Sequence, residues 1–451
     1  MGARPLMRAV VVGGGVAGLV AARRLAIEGS AVVLLEASDR LGGRVAATRV
    51  GGVTVDAGAE SFAVRGGAVR ALIDELGLGG AVQEPSGSAW VALPDRTVPL
   101  PVGGLLGIPS SPLATDVVRV LDARGALRAY ADRVRPVLKR GRYDRLGPLV
   151  RERMGARVLD RLVASVVVNV YGADPDEVPV DAIAPGLNGA ITTAGSLSGA
   201  VLQLRAAAPP GAAAQGLAGG VHRLVEALEA DLRGRGVEVR TGTPVLGVHP
   251  APFGGLLTVS TAREDLQADR VVLAAEGAAA LDLLSDAAPG LGRMPRPAPA
   301  VSRAVLLLVE DRRLDDAPRG TGVLRAPITT GVRASAVTHL TAKWPELGAR
   351  AGRGRHLLRL SYRGGDAVPD ATVVADATAL LGLDGLHLAA REDVVWTDTA
   401  PALAPETIAV RRALAGAALP DGLAVAGSWV AGTGLASVVA AAERAARPGA
   451  S

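Results

Sequence analysis

Arg8-Ala9-Val10-Val11-Val12-Gly13-Gly14-Gly15-Val16-Ala17-Gly18, followed by Ala31-Val32-Val33-Leu34-Leu35-Glu36, decides the fold of this 451-residue chain. The first five residues predict a short buried strand, Leu19–Glu28 a helix with small and apolar residues on one side, and Ala31–Leu35 a second strand. A strand, a glycine turn, a helix and a strand ending in an acid form the unit that holds a dinucleotide. Each position has a mechanical role. Gly13 permits the tight turn, Gly15 lets the backbone approach a pyrophosphate, and Gly18 lets the helix pack close to the strand. Val16 and Ala17 are cofactor-binding candidates in the turn that leads to the helix, whose N-terminal N–H groups and partial positive charge suit phosphate oxygens. Glu36 is placed to accept both ribose hydroxyls, which favours an unphosphorylated ribose and hence FAD or NAD over NADP.

Working outward, composition removes several classes. Hydrophobic residues make up 49% and charged residues 21%, so the chain can bury a substantial core. With no Cys, disulfides, thiolate metal sites and cysteine nucleophiles are ruled out, and five scattered His residues argue against a metal centre. The net charge of +5 comes from arginines spread along the chain, which argues against a nucleic-acid partner. Two uncharged windows, residues 182–204 and 422–442, are too polar or too rich in glycine for membrane spans. Length suggests two or three domains.

The run after the acid narrows the class. Glu36-Ala37-Ser38-Asp39-Arg40-Leu41-Gly42-Gly43-Arg44, and then Asp56-Ala57-Gly58-Ala59-Glu60-Ser61-Phe62, resemble two signatures of the flavin amine oxidase superfamily. The resemblance implies non-covalent FAD, with Gly42, Gly43 and Arg44 against its pyrophosphate and Gly58, Ala59, Glu60 and Ser61 beside the flavin ring. It implies backbone contact between Val245 and the adenine, and places Trp396 at the cofactor. Near the C-terminus, Gly427-Ser428-Trp429 and Gly432-Thr433-Gly434-Leu435 precede an Ala-rich helix, so Gly427, Gly434 and Leu435 lie where a second helix start faces the flavin.

Two internal segments are similar to the protoporphyrinogen/coproporphyrinogen oxidase branch: Leu146–Gly155 continuing to Tyr171–Val178, and Ala342-Lys343-Trp344-Pro345. The chain departs from the branch at Val167-Val168-Asn169, where a glycine pair is usual, and at Ala400–Thr407, which lacks a Gln-Tyr pair. The resemblance implies an α/β fold: a Rossmann-like FAD domain of the amine oxidase/glutathione reductase type, a mixed-sheet substrate domain and a helical insertion. The expected divisions are 1–95, 216–290 and 391–451 for the FAD domain, 96–215 for a helical insertion able to associate with a membrane, and 291–390 for the substrate domain.

The activity implied is the six-electron oxidation of coproporphyrinogen III or protoporphyrinogen IX, with O2 as acceptor giving peroxide, in haem biosynthesis. Amine oxidation, phytoene-type desaturation and a flavoprotein without turnover are the alternatives. Hydride passes to the flavin in such a reaction, so no catalytic side chain is demanded. Arg65, Asn169, Tyr171 and Lys343 are the substrate-binding candidates. Arg65 would meet a propionate, and each of the four has a plain structural alternative. The expected setting is cytoplasmic, with at most peripheral contact on the inner face of the membrane, as a monomer or homodimer that passes product to ferrochelatase.

Overall fold

The computed structural model describes residues 7–135, 142–207, 214–250, 255–399, 402–432 and 434–447. Arg8–Val12 is the centre of a five-stranded parallel sheet in the order Glu238–Arg240, Ala31–Leu35, Arg8–Val12, Arg270–Leu273, Leu423–Val425. Parallel strands connected by helices are covered on both faces, which is why Val10, Val11 and Val12 read as one apolar run. Val11, Leu34 and Val272 face the helices Val16–Ile27, Arg223–Gly234 and Leu435–Ala446. Val10, Val12 and Leu273 face the opposite layer, which includes Gly277–Leu283 and the antiparallel strands Val245–Pro250, Leu257–Thr261 and Asp265–Ala268. Leu34 is fully buried, and truncating such a residue to Ala costs about 3 kcal/mol.

A second, seven-stranded sheet runs Leu388–Thr399, Ala300–Glu310, Arg355–Arg363, Ala336–His339, Gly322–Arg325, Trp90–Ala92, Thr97–Pro99. Two of the sequence divisions cut this sheet. The division at 95/96 falls inside the hairpin Trp90–Ala92/Thr97–Pro99, and that at 390/391 falls inside the strand Leu388–Thr399. Trp90–Ala92 pairs with Gly322–Arg325, more than two hundred residues away, and local patterning carries no sign of so distant a partner. Helix Asp370–Leu381 covers one face of the sheet over Val305, Leu307, Leu358 and Leu360. On the other face, Leu306, Leu308 and Leu357 pack on Val50, Val55, Leu340 and Trp344, and Val91 packs into the core of the helical region.

Between the two sheets in sequence lies the helical region, with helices from Thr115 to Ala206. The two halves of the first segment that carries the branch resemblance, Leu146–Gly155 and Tyr171–Val178, lock together here. Leu146 N–H donates to Val178 O (3.0 Å), Gly147 N–H to Pro175 O (2.7 Å), and Arg151 pairs with Asp176 (2.8 Å). A Cβ at Gly147 would sit 2.0 Å from Asp176 Oδ1, so glycine is the residue that fits. Arg153 is buried and binds Asp132 at 2.5 Å, while Asp132 also accepts the Ser198 N–H. Among the described residues, no helix is long and apolar enough to cross a membrane.

Candidate functional site

The glycine turn at the end of Arg8–Val12 performs three separate tasks. Gly13 has φ +104°, and a Cβ there would lie 2.7 Å from Ala274 O. A Cβ on Gly18 would come within 1.8 Å of Gly13 O, so the helix seats directly on the turn. Gly15 differs: its φ is −68° and a Cβ would meet nothing within 4 Å. No contact within the protein requires glycine at 15, so its bare backbone fits a site that a dinucleotide's phosphates approach. The Gly42-Gly43 pair comes to the same place. Gly42 N–H donates to Gly14 O (2.8 Å), and a Cβ at Gly43 would be 3.3 Å from Gly15 Cα.

Glu36 lies at the far end of the cradle. It accepts the Gly14 N–H (2.6 Å) and the Ser38 N–H (2.8 Å), which orient its carboxylate beside exposed Ala37. Its own backbone closes the adenosine end, because Thr243 N–H donates to Glu36 O and Gly242 N–H to Ser38 O. Val245 follows and starts a strand that bulges before Gly247. At the other end, Gly432 and Gly434 have φ of 94° and 95°, again with nothing within 4 Å of a Cβ, and Gly434 leads directly into helix Leu435–Ala446. Thr433 between them lies outside the described residues, as do Ala400 and Pro401. Leu435 is buried in the core. Gly427 packs on Trp429, whose indole N–H donates to Ala275 O (3.0 Å), so that tryptophan belongs to the core.

Between these ends runs the segment Asp56–Ser61. Asp56 accepts the backbone N–H of Val221 and of His222 (2.9 Å each) and contacts His222 Nδ1 at 2.8 Å. It therefore ties the segment to the start of the Arg223–Gly234 helix. Gly58 is enclosed, since a Cβ there would lie 2.0 Å from the carbonyl oxygen of Arg44 and 3.2 Å from the Trp396 ring. Arg40 lies over that ring at 6.0 Å. Ala59 packs against the core of the parallel sheet, Ser61 is half-buried, and the Arg44 side chain is exposed. Glu60 is buried at 8% exposure, with Lys343 Nζ 2.7 Å and Arg359 Nη2 3.4 Å from its Oε1. Burial alone would raise the Glu60 carboxyl, but Arg359 and Lys343 outweigh it and hold it below the usual carboxylate range.

The open end of the seven-stranded sheet faces this segment. Ser302, Ala304, Ser361, Arg363 and Trp396 share one face by register and stay partly exposed, although the strands Ala300–Glu310 and Arg355–Arg363 are interior to the sheet. Arg359 Nη1 donates to Gly58 O (2.9 Å), and Arg363 Nη2 donates to Val168 O (2.9 Å) of the helix Ala164–Tyr171. One strand thus reaches the cofactor segment at Arg359 and the helical region at Arg363, about 13 Å further along. Half-buried Tyr171 ends that helix. Burial raises its phenol pKa and nearby exposed Arg65 offsets part of the rise. Asn169 donates both to Ser165 O (2.7 Å) and to Arg325 O (2.9 Å), so its amide hydrogens join the helix to the sheet.

Gly58, Trp396, Ser302, Arg363, the helix end at Val168–Tyr171, and Arg65 therefore surround the partly exposed face of the second sheet beside Asp56–Ser61, the candidate substrate cleft. Lys343 lies behind that segment, on Glu60. Arg359 and Arg363 are missing from the sequence candidates. The alternation Arg359, Ser361, Arg363 against buried Leu358, Leu360, Tyr362 was the available signal, and it marks two faces without telling which one meets a cleft.

A dinucleotide cradle, a flanking segment tied to a second sheet, and a helical wall define a flavoprotein oxidoreductase. Residues 16–448 match the flavin containing amine oxidoreductase family, and the chain belongs to it. FAD is accordingly its cofactor. The chain is 32% identical over 457 residues to a coproporphyrinogen III oxidase of Mycobacterium leprae, covering 96% of each. It is 32% identical over 463 residues to one of Mycobacterium tuberculosis, covering 96% of this chain and 95% of that one. Among solved structures, one from Exiguobacterium sp. 255-15, provisionally designated a protoporphyrinogen oxidase, superposes with a TM-score of 0.80 at 25% identity over 98% of each chain.

Proposed function

We propose that this protein oxidises coproporphyrinogen III to coproporphyrin III, with O2 as acceptor and peroxide as by-product, in haem biosynthesis. The observation that carries this reading is the 32% identity to named coproporphyrinogen III oxidases along 96% of the chain. Bound flavin supplies the two-electron acceptor for each of the three rounds that a six-electron oxidation requires. The chain's own residues position the macrocycle. Gly58–Ser61 and Trp396 form one edge of the cleft, Ser302, Ala304 and Ser361 leave its floor low, and Arg65 with Tyr171 lines the helical wall. Glu60, ionised through Lys343 and Arg359, acts as a fixed charge and holds the flanking segment in place. Product leaves for a porphyrin-metallating enzyme, ferrochelatase.

The test is aerobic turnover of the FAD-loaded protein with coproporphyrinogen III and protoporphyrinogen IX in parallel, followed by porphyrin fluorescence and peroxide release. Faster formation of coproporphyrin, with about three peroxides per porphyrin, is the expected result. Bound FAD with neither porphyrin formed would overturn the proposal.

A further inference from the structure

We propose that Arg363 is a specificity-determining residue that binds a substrate carboxylate at the opening it shares with Arg65. This inference rests on the porphyrinogen reading above. Arg363 ends the strand Arg355–Arg363 on the face shared with Arg359 and Ser361, opposite Ser302 in register. It is exposed, and its guanidinium makes one hydrogen bond, from Nη2 to Val168 O at 2.9 Å. That bond fixes the side chain against the C-terminal turn of the helix that Tyr171 ends, and among the described residues Nε and Nη1 have no hydrogen-bond partner.

The contrast with its neighbours on the sheet is informative. Arg359, four residues away on the same face, is engaged with Glu60 and Gly58 O. Arg303, on the opposite face, pairs with Asp393. Arg391 pairs with Asp370 and Asp393. Arg363 has no such acid among the described residues, yet it is not a floating surface arginine, because the helical region holds it at the cleft rim. A guanidinium fixed by one nitrogen, with others free on a planar fork, is arranged to receive a carboxylate. Arg65 stands near Tyr171, at that helix end, also without an acidic partner among the described residues, so two cations flank the same opening. A substrate carrying carboxylates around a planar rim would be gripped from both sides, and one with fewer carboxylates would lose a contact.

The experiment compares wild type, R363Q and R363K as FAD-loaded proteins, measuring steady-state oxidation of coproporphyrinogen III and protoporphyrinogen IX. Equilibrium binding of coproporphyrin, followed by quenching of its fluorescence, is measured alongside. FAD content from the visible spectrum checks that each variant is loaded. R363Q is expected to raise KM for coproporphyrinogen III about tenfold, the scale of one charge-assisted hydrogen bond. Its kcat should stay within about twofold, and coproporphyrin should bind more weakly by a similar factor. The effect on protoporphyrinogen IX should be smaller. R363K, which keeps the charge but not the fork, should fall between wild type and R363Q for coproporphyrinogen III. Unchanged KM and binding in R363Q would overturn the role of Arg363 and leave the activity standing. Equal loss in R363K and R363Q for both substrates would also overturn it, since Arg363 would then serve only to hold the helix. Wild type that turns over neither substrate would overturn both proposals.

Discussion

Lys343 places its ammonium 2.7 Å from the carboxylate of Glu60, although 283 residues separate them in the chain. The pair joins the segment beside the cofactor to the short helix Leu340–Lys343 on one face of the second sheet, and Trp344 shields it, with Lys343 Nζ 5.2 Å from the indole centroid. Glu60 is buried, so the pair is structural in the strong sense: removing either charge strands the other.

Replacing Lys343 by Met should therefore destabilise the protein by about 2 kcal/mol. The cost falls below that of a fully orphaned charge because Arg359 remains 3.4 Å away. Since the Glu60 pKa is depressed in the folded state, its stabilisation is present above the unfolded carboxylate pKa near 4.3 and is lost as pH falls through the lower folded value. Urea melts at pH 7 and pH 3.5 check this. K343M should lose less stability than wild type on acidification, and an unchanged stability at pH 7 would refute the coupling.

Gly15 and Gly18 should separate cofactor binding from folding. Gly15→Ala places a methyl where the protein has nothing, at a φ that alanine accepts, so the apoprotein's Tm should hold or rise slightly while FAD content falls severalfold. Gly18→Ala drives a methyl into Gly13 O and should destabilise the apoprotein itself. Thermal melts with and without added FAD distinguish the two. A cofactor-replete G15A variant would refute the placement of the phosphates.

In the helical region, Asp132→Asn or Arg153→Met breaks an ion pair whose partners are 0% and 1% exposed. Each should cost about 3 kcal/mol or more, because a charge is left buried among the helices. Chemical denaturation measures this directly. A loss under 1 kcal/mol would show that water reaches the pair.

His339 and His356 form a buried pair with 3.0 Å between ring nitrogens, and Asp315 lies 3.2 Å beyond His356. Burial, and then His356, draw the His339 pKa down to about 3, and burial lowers His356 with partial relief from Asp315. The unfolded chain thus binds more protons below about pH 6.5. Stability is complete above that pH and declines as pH falls, by up to about 1.4 kcal/mol per pH unit for each histidine. His339→Gln should flatten the decline between pH 6.5 and 5, as read from urea midpoints, and an unaltered slope would exclude the pair as its source.

The glycine turn, Glu36 and the strand–helix–strand unit were legible because their chemistry is local. Turn, phosphate approach and helix packing are set by residues within a few positions of one another. Strand Arg8–Val12 is where the sequence places it, and the helix begins at Val16, three residues before the expected Leu19, because its first turn carries the glycine motif itself. The branch segments 146–155 and 171–178 were legible as a resemblance, but their role as an interlock through Gly147, Arg151 and Asp176 was not. Asn169 was a substrate candidate for the same reason. A side-chain amide in sequence carries no mark of the two carbonyls it will meet.

The sequence alone determined that this chain builds a dinucleotide cradle and a flavin-flanking segment, since both are short-range patterns with fixed spacing. Only the tertiary structure decided that Lys343 serves Glu60, that Arg359 and Arg363 divide one strand between cofactor segment and helical wall, and that Trp90–Pro99 and Leu388–Thr399 complete the second sheet. The physical reason is that strand pairing and buried ion pairs satisfy backbone and charge wherever the folded chain brings partners together. A hydrogen bond does not depend on how far apart its donor and acceptor lie in sequence.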